Sequence, residues 1–300
     1  MRVFLTGATG SVGSSVLENL LSHGHDVTCT VRNEEKGQVI ASKGDRAHYI
    51  ILDINDKTAH QLAELAVGYD AIIECAQLPF TNEGVIAQEI SVDALIQAAK
   101  KTAETKHVSL VYTSGIGVIG NTTGVIDEDH DDTSHSWEFS TPRILREKKV
   151  INASTENLHG VSLRVSWVYG NSTVDHWIRA CKSQNKIVVA NQNDTYIPFI
   201  HHEDLASMFR ILIEQRAYGM FFAVEPESAS LQSLIERVAA VGNIHEIERV
   251  DNAWAHISGP YGFFLLGHTL NEQVYPRRLI ELYGFRHAHK ILDWVSSFTF

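Results

Sequence analysis

The N-terminal stretch Thr6-Gly7-Ala8-Thr9-Gly10-Ser11-Val12-Gly13 decides the fold of this chain. It directly follows the apolar run Val3-Phe4-Leu5, which predicts a buried first strand, and it leads into a segment with helical periodicity. Glycines in such a strand–turn–helix let the backbone approach a pyrophosphate closely, while the positive end of the helix faces the anion. The alternative is a turn that only closes the corner between strand and helix. The three glycines and both flanking elements together favour the phosphate-binding turn.

The end of the second predicted strand, Val27–Val31, indicates which dinucleotide this turn would bind. Units of this type that bind NAD place an acidic residue there to hold the ribose 2′-hydroxyl. Here Arg32 follows the strand instead, and a guanidinium can pair with a 2′-phosphate. The sequence therefore predicts NADP(H), with Arg2 and Lys36 as secondary candidates for the same phosphate. A solvated surface charge is the alternative role of Arg32.

The chain resembles a known family, the extended or atypical short-chain dehydrogenases/reductases, which include NAD-dependent epimerases and dehydratases. The resemblance covers most of the chain. The glycine-rich turn matches the family pattern TGxxGxxG, and the fourth strand takes the place of a family segment with a histidine and two alanines. The further matching segments are Leu52-Asp53-Ile54, Ile72-Ile73-Glu74-Cys75-Ala76, Val111-Tyr112-Thr113-Ser114-Gly115, Leu163-Arg164-Val165 with Val168-Tyr169-Gly170, and Phe199–Ala206.

The resemblance also implies a set of cofactor-binding residues. In the family, the acidic residue at the end of the third strand meets the adenine amino group, and this position is Asp53. The complete expected set is Gly7, Thr9, Gly10, Ser11, Val12, Gly13, Arg32, Asp53, Ile54, Ala76 and Gln77.

The chain departs from the family at its catalytic pair, Tyr-x-x-x-Lys on the helix after the fifth strand. Arg143 takes the place of the Tyr and Glu147 that of the Lys, when the segment is aligned on Pro142. Gly115 takes the place of the Ser or Thr partner, and Ser114 lies one residue earlier. The resemblance therefore implies an atypical site whose catalytic candidates are Ser114, Arg143 and Glu147. The last two lie four residues apart, so they can pair with each other on one helical face.

Alternating strand and helix patterns predict an α/β protein, with a doubly wound parallel sheet of the Rossmann type and a smaller C-terminal substrate lobe. We expect residues 1–170 to form the NADP-binding core, completed by strands and a helix within 196–224. Residues 171–195 and 225–300 would form the lobe. Family pockets suggest four residues near the site, and the stretch Trp254 to Leu266 would pack the lobe or line a pocket. The four residues are Tyr169, Asn171, His176 and Trp177.

Composition limits the partners. The net charge of -11 over 300 residues argues against nucleic acid. No apolar run is long enough to span a bilayer and no signal peptide is recognisable, so we expect a cytoplasmic protein that does not bind membranes. The three cysteines form no CxxC pair, so we expect them to be reduced. We expect no metal site at the acidic stretch Asp127–Asp132 or at His201-His202. A homodimer is compatible with the sequence.

Two classes of function follow from these observations. The first is an NADP(H)-dependent oxidoreductase acting on a small carbonyl or alcohol substrate. Its proton would come from Ser114, from a pocket Tyr or His, or from water, while Arg143 polarises a substrate oxygen and Glu147 accepts hydrogen bonds from ribose hydroxyls. The alternative is a non-redox NADP-binding protein on the same fold, such as a sensor, an isomerase or a lyase.

Overall fold

The computed structural model describes residues 1–54, 58–79, 81–130, 133, 140–190, 195–256, 258–259 and 261–299, which form two compact units. The first unit consists of Met1–Ser114, Thr141–Arg164 and Leu205–Phe221. The second consists of Gly115–Ser140, Val165–Asp204 and Phe222–Phe300. The predicted boundary after residue 170 falls inside the second unit, because Trp167–Tyr169 pairs there with Phe199–His201.

The strands of the described residues are short and mostly buried. In chain order they are β1 Arg2–Thr6, β2 Asp26–Val31, β3 Ala47–Ile51, β4 Ala71–Glu74, β5 Val108–Gly115, β6 Leu158–Val165, β7 Trp167–Tyr169, β8 Lys186–Ala190, β9 Tyr196–Ile197, β10 Phe199–His201, β11 Gly219–Ala223, β12 Ala229–Ser230 and β13 Glu246–Val250.

Seven of these strands form one parallel sheet in the order β11-β6-β5-β4-β1-β2-β3. β1 pairs with β2 on one side, where Arg2 lies opposite Asp26, and with β4 on the other, where Val3 lies opposite Ala71. The chain order of the strands reverses at β1 and β4. In open parallel sheets a ligand crevice forms at such a point, outside the carboxyl ends of the strands. The predicted α/β class and the doubly wound Rossmann sheet are therefore confirmed.

Helices connect the strands. They are α1 Ser11–Ser22, α2 Glu34–Ala41, α3 Ala59–Leu65, α4 Asn82–Ala103, α5 Thr141–Asn152, α6 Thr173–Ser183, α7 His202–Glu214, α8 Leu231–Gly242, α9 Arg277–Tyr283 and α10 Ile291–Ser296. α9 ends where the sequence predicts, at Gly284, whose φ of 63° is the left-handed geometry that glycine adopts at little cost. In the described part of the chain, no helix is long and apolar enough to cross a membrane.

The core of the first unit explains why the N-terminal strand is so apolar. Val3, Phe4 and Leu5 have no exposed surface. Phe4 shares a buried cluster with Ile72 of β4 and Leu110 of β5, and side chains of α4 and α5 complete this cluster. One face of the sheet is therefore packed against α4 and α5, which fixes the carboxyl ends of β4 and β5 beneath these helices.

The core of the second unit contains several residues that the sequence placed near a site. Trp177 is fully buried and donates its indole N–H to the Val188 carbonyl at 3.0 Å. Tyr169 is also fully buried, and its hydroxyl donates to Glu225 at 2.6 Å. Both are core residues, which corrects the expectation for these two positions. Asn171 and His176 are exposed, and their predicted role stays a prediction. Phe264 to Leu266 pack into this core, as one of the two alternatives predicted.

The acidic stretch at Asp127–Asp132 is tied to arginines of α9 in the second unit. Arg277 donates to Asp127 at 2.9 Å, and Arg278 donates to Asp129 at 2.9 Å. Positions 131 and 132 lie outside the described residues. The described acidic residues of this stretch therefore hold the start of α9 in place.

Candidate functional site

The glycine-rich turn is closed by contacts that only glycine allows. Gly7 has a φ of +72°, and a Cβ at this position would lie 2.4 Å from the Cys75 carbonyl oxygen. A Cβ at Gly13 would lie 2.2 Å from the Gly7 carbonyl oxygen. Gly10 differs, because the nearest atom to its Cβ would be the Gly7 oxygen at 3.3 Å. Gly7 and Gly13 are therefore needed for packing, whereas a Cβ at Gly10 would meet a single backbone atom and is constrained less.

The N-terminus of α1 also fits an anion. No side chain caps this helix, whereas Asn33 caps α2 and Thr81 caps α4. The N-terminal cap of α1 is Gly10, whose amide donates to Gly7 at 2.9 Å and whose backbone is extended. An uncapped helix start with glycine at the cap presents backbone N–H groups and the positive end of the helix dipole to a bound phosphate.

The residues predicted to choose between NAD(H) and NADP(H) lie on the β2 and β3 side of the turn. Val31 is buried at the end of β2, and Arg32, the next residue, is exposed. The nearest acid in sequence is Glu34, which accepts hydrogen bonds from Tyr49 at 2.7 Å and from Gln38 at 2.6 Å. Asp53, predicted to meet the adenine, is exposed just beyond β3, with Ile54 half-buried beside it.

Arg2, a secondary candidate for the same phosphate, lies at the wrong end of the sheet. It is the first residue of β1, and the glycine-rich turn follows the last. Its guanidinium lies over the Tyr69 ring at 4.8 Å, and its backbone N–H donates to Asp70 at 2.7 Å. The expectation for Arg2 is therefore corrected, while Lys36, in the first turn of α2, stays on the carboxyl side.

The segment after β4 is held against α5 by a predicted catalytic residue. The Nη2 of Arg143 donates to the Oε1 of Gln77 at 2.6 Å. Ala76 and Gln77 are both predicted cofactor residues, so this contact joins the predicted catalytic and cofactor-binding sets. It leaves the positive charge of Arg143 at the carboxyl ends of β4 and β5, bonded to a neutral amide.

Glu147 does not pair with Arg143. Its two carboxylate oxygens accept hydrogen bonds from Nε and Nη2 of Arg164 on β6, at 3.0 and 2.8 Å. Glu147 is 1% exposed and Arg164 is 2% exposed. The possible pairing of Glu147 with Arg143 within α5 is therefore not formed, because Arg164 donates two hydrogen bonds to the same carboxylate. Its predicted contact with ribose hydroxyls would compete with this buried pair.

Ser114 is the predicted catalytic residue with an unpartnered polar group. It is the second-last residue of β5 and only 2% exposed, and its Oγ has no hydrogen-bond partner among the described residues. Buried hydroxyls normally have a partner, and an orphaned one at a strand end is typical of a position that a ligand or water completes.

Glu74, the last residue of β4, is an acidic residue of this region that sequence reasoning missed. It is buried, and its Oε1 accepts from Nε2 of Gln88 on α4 at 2.7 Å. The Oε1 of Gln88 in turn accepts from the Leu78 backbone N–H at 2.9 Å. Burial raises the pKa of Glu74 to about 7, although Gln88, Arg143 and Arg146 act in the opposite direction. The sequence feature that could have identified Glu74 is its position as a carboxylate at the end of an otherwise apolar strand.

In the second unit, the rings of the neighbouring histidines His201 and His202 lie close together. Adjacent residues of one strand point to opposite faces, but the ring centroids of these two are 4.5 Å apart and both rings border Gly170. The reason is that β10 ends at His201 and α7 begins at His202, so the alternation of a strand stops between them. Nδ1 of His201 accepts a hydrogen bond from the Glu203 backbone N–H at 3.4 Å.

His201, Glu203 and His289 place nitrogen and oxygen atoms within 4.8 Å of one another. The imidazoles of His201 and His289 are stacked, however, with centroids 3.6 Å apart. The lone pairs of an imidazole lie in the ring plane, so two stacked rings do not direct them at one ion. His289 also contacts Asp204, Nδ1 to carboxylate, at 3.2 Å. This cluster is therefore a hydrogen-bonded group within the second unit.

Comparisons with known proteins support the fold and the family. The chain is 23% identical over 229 residues to the decarboxylating sterol-4-alpha-carboxylate 3-dehydrogenase of Dictyostelium discoideum, covering 71% of this chain and 68% of that protein. The human epimerase family protein SDR39U1, solved with NADPH, superposes with a TM-score of 0.74 at 19% identity, over 99% of this chain and 98% of that one. MoeE5, solved with UDP-glucuronic acid and NAD, superposes with a TM-score of 0.74 at 16% identity, over 99% of this chain and 97% of that one.

At these identities the two solved structures establish the fold alone. The family is established by a broader match, since residues 3–221 fit the model of the NAD dependent epimerase/dehydratase family. This range contains the glycine-rich turn, Arg32, Glu74, Arg143 and the Glu147–Arg164 pair. The chain therefore belongs to the NAD dependent epimerase/dehydratase family.

Proposed function

We propose that this protein is an NADP(H)-dependent oxidoreductase that acts on a small carbonyl or alcohol substrate. The observation that carries the proposal is the glycine-rich turn at the uncapped start of α1, located where the strand order reverses and followed across β2 by Arg32. A nicotinamide dinucleotide bound there supplies hydride chemistry, and the protein supplies binding, orientation and electrostatics.

The residues present fit such a cofactor. Gly7, Gly10 and Gly13 shape the turn, and the open space at Gly10 is where a pyrophosphate would approach the backbone. Arg32 would bind a 2′-phosphate with charge-assisted hydrogen bonds, with Lys36 in the adjacent first turn of α2. Asp53, Ile54, Ala76 and Gln77 would line the remaining dinucleotide, as the family resemblance implies.

On the substrate side we assign different roles to the three catalytic candidates. Arg143 would polarise a substrate oxygen electrostatically, since an arginine guanidinium carries a positive charge. Ser114 offers an unpartnered hydroxyl at the end of β5 as a donor or acceptor for that oxygen. Glu147 is a positioning residue, because its carboxylate is engaged with Arg164.

Cofactor preference tests the binding half of the proposal. We expect NADPH to bind more tightly than NADH in a fluorescence titration of the purified protein. Arg32→Ala should remove most of this preference, a loss of roughly 1–3 kcal/mol or about fivefold to 150-fold in affinity. Arg46→Ala is the matched control, because Arg46 is an exposed arginine before β3, at the amino end of the sheet. Equal affinities for the two cofactors in the unmodified protein would contradict the assignment.

Turnover tests the catalytic half. The protein with NADPH is incubated with a panel of small aldehydes and ketones, and the loss of NADPH absorbance is followed. Steady oxidation of NADPH that depends on one class of carbonyl supports the oxidoreductase. Tight binding of NADPH without turnover across the panel would instead favour the non-redox alternative, such as a sensor, isomerase or lyase.

A further inference from the structure

Glu74 lies at the centre of a buried polar cluster that the catalytic assignment above does not use. In the sheet register it stands opposite Thr6 of β1 and opposite Tyr112 of β5. Residues paired across parallel strands share a face of the sheet, here the face covered by α4 and α5. Gln88 of α4 reaches Glu74 from that face at 2.7 Å. The Thr6 hydroxyl, fully buried, has no hydrogen-bond partner among the described residues.

The charged and titratable groups around Glu74 come from each element packed on it. Arg143 and Arg146 of α5 both attract its carboxylate. The Nε of Arg146 donates to the Tyr112 hydroxyl at 2.9 Å, and its Nη1 lies 3.7 Å from Glu89 of α4. Cys75, the next residue, is a thiol whose pKa burial raises to about 12, so it stays neutral. The pKa of Glu74, which burial raises to about 7, allows this carboxyl to change charge near neutral pH.

The topology places this carboxyl on one side of the predicted cofactor. The adenine and 2′-phosphate candidates follow β2 and β3, and a bound dinucleotide would cross the sheet where the strand order reverses, at β1 and β4. Its nicotinamide half would then lie toward the ends of β4 and β5. Glu74, Ser114 and Arg143 all belong to these strands or to the helix packed on them.

We propose that Glu74 exchanges a proton with solvent according to the oxidation state of the bound nicotinamide. An oxidised nicotinamide ring carries a positive charge, which favours the ionised carboxylate, and a reduced ring is neutral, which favours the protonated acid. Oxidation of an alcohol by NADP⁺ yields a carbonyl, NADPH and one proton, so Glu74 can hold that proton before it reaches solvent. The inference rests on the proposed function, since it requires that a nicotinamide cofactor binds here.

The test measures protons rather than activity. NADP⁺ and NADPH are each titrated into the protein by calorimetry at pH 7, in two buffers that differ in ionisation heat. We expect NADP⁺ binding to release a larger fraction of a proton than NADPH binding. The ratio of the two affinities should shift toward NADP⁺ by about tenfold between pH 6 and pH 8. Comparison of the two cofactors cancels the titration of the 2′-phosphate, which they share.

Glu74→Gln keeps the size of the side chain and should abolish the difference between the two cofactors. Glu225→Gln is the matched control, because Glu225 is a buried glutamate of the second unit whose pKa burial also raises to about 7, and it should keep the difference. If Glu74→Gln does not fold, Glu74→Asp should retain the proton exchange.

Equal proton release with NADP⁺ and NADPH in the unmodified protein overturns the inference without any variant. A difference that persists in Glu74→Gln overturns it as well. Both outcomes leave the proposed function standing, because the cofactors still bind. Absence of binding by either cofactor would instead remove the proposed function, and this inference with it.

Discussion

At the scale of single residues, the three glycines of the glycine-rich turn differ in how tightly their surroundings constrain them. Gly7 and Gly13 are required by backbone contacts at 2.4 and 2.2 Å, whatever ligand binds. Gly10 faces only one contact, at 3.3 Å, and has a φ of −84° that any residue adopts. The sequence motif treats the three alike, whereas the structure shows that packing constrains Gly7 and Gly13 more tightly than Gly10.

Gly10→Ala should therefore weaken NADPH binding at least tenfold while the fold is kept, because the new methyl group occupies the space where the pyrophosphate approaches. Binding is measured by titration and folding by circular dichroism. Gly13→Ala is the contrasting variant and should lower the melting temperature, since its Cβ has no room. A folded Gly10→Ala protein with unchanged NADPH affinity would show that the turn does not bind phosphate.

At the scale of elements, the buried pair of Glu147 and Arg164 joins α5 to β6. The two residues lie 17 positions apart, and both side chains are almost fully buried. A buried ion pair gains little over an apolar pair of the same shape, but the loss of one partner leaves an uncompensated charge. The pair therefore fixes where α5 lies on the sheet, and with it the position of Arg143, one helical turn away.

Glu147→Gln should cost roughly 3–5 kcal/mol in the free energy of unfolding, because Arg164 is left buried without its counter-charge. Denaturant unfolding measures this loss. The double variant Glu147→Leu with Arg164→Met should recover much of it, since both charges are then gone. A loss below about 1 kcal/mol in Glu147→Gln, accompanied by a tenfold drop in NADPH affinity, would restore the role of Glu147 at the ribose.

At the scale of the whole molecule, buried carboxyls and buried histidines give stability opposite dependences on pH. Burial raises the pKa of Glu272 to about 8, above its ordinary value near 4.5, so the folded protein binds a proton that the unfolded chain has lost. Stability contributed by this site therefore falls as pH rises from 4.5 to 8. Burial lowers the pKa of His201 and His268 to about 3, so their contribution rises with pH up to about 6.5.

Well above pH 6.5 a histidine is neutral in both the folded and the unfolded state, whereas a buried carboxyl with a raised pKa still lowers stability as pH rises. Each carboxyl with such a raised pKa should cost about 1.4 kcal/mol per pH unit until its folded pKa is reached. Glu272→Gln removes one of these sites and should raise the melting temperature at pH 8 but leave it nearly unchanged at pH 5. Glu246→Gln, at an exposed position of β13, is the control. An equal shift at both pH values would point to packing instead of protonation.

The sequence alone was sufficient for the local elements and for the turn. A strand–glycine–helix pattern is set by neighbours along the chain. The sequence therefore predicts the turn formed by Gly7, Gly10 and Gly13, and the end of α9 at Gly284. The parallel sheet also followed, because alternating strands and helices leave few other arrangements.

The tertiary structure decided which polar side chains meet. The four-residue spacing on α5 allows Glu147 to pair with Arg143, but Glu147 pairs with Arg164 on a neighbouring strand. Arg2 lies near Gly7 in sequence but at the opposite end of β1. The surroundings of Glu74 come from other elements, because Gln88 of α4 donates a hydrogen bond to its carboxylate and two arginines of α5 attract it. Periodicity determines which face of an element is buried, whereas the partner of a buried charge depends on how separate elements align, and local sequence does not encode that alignment.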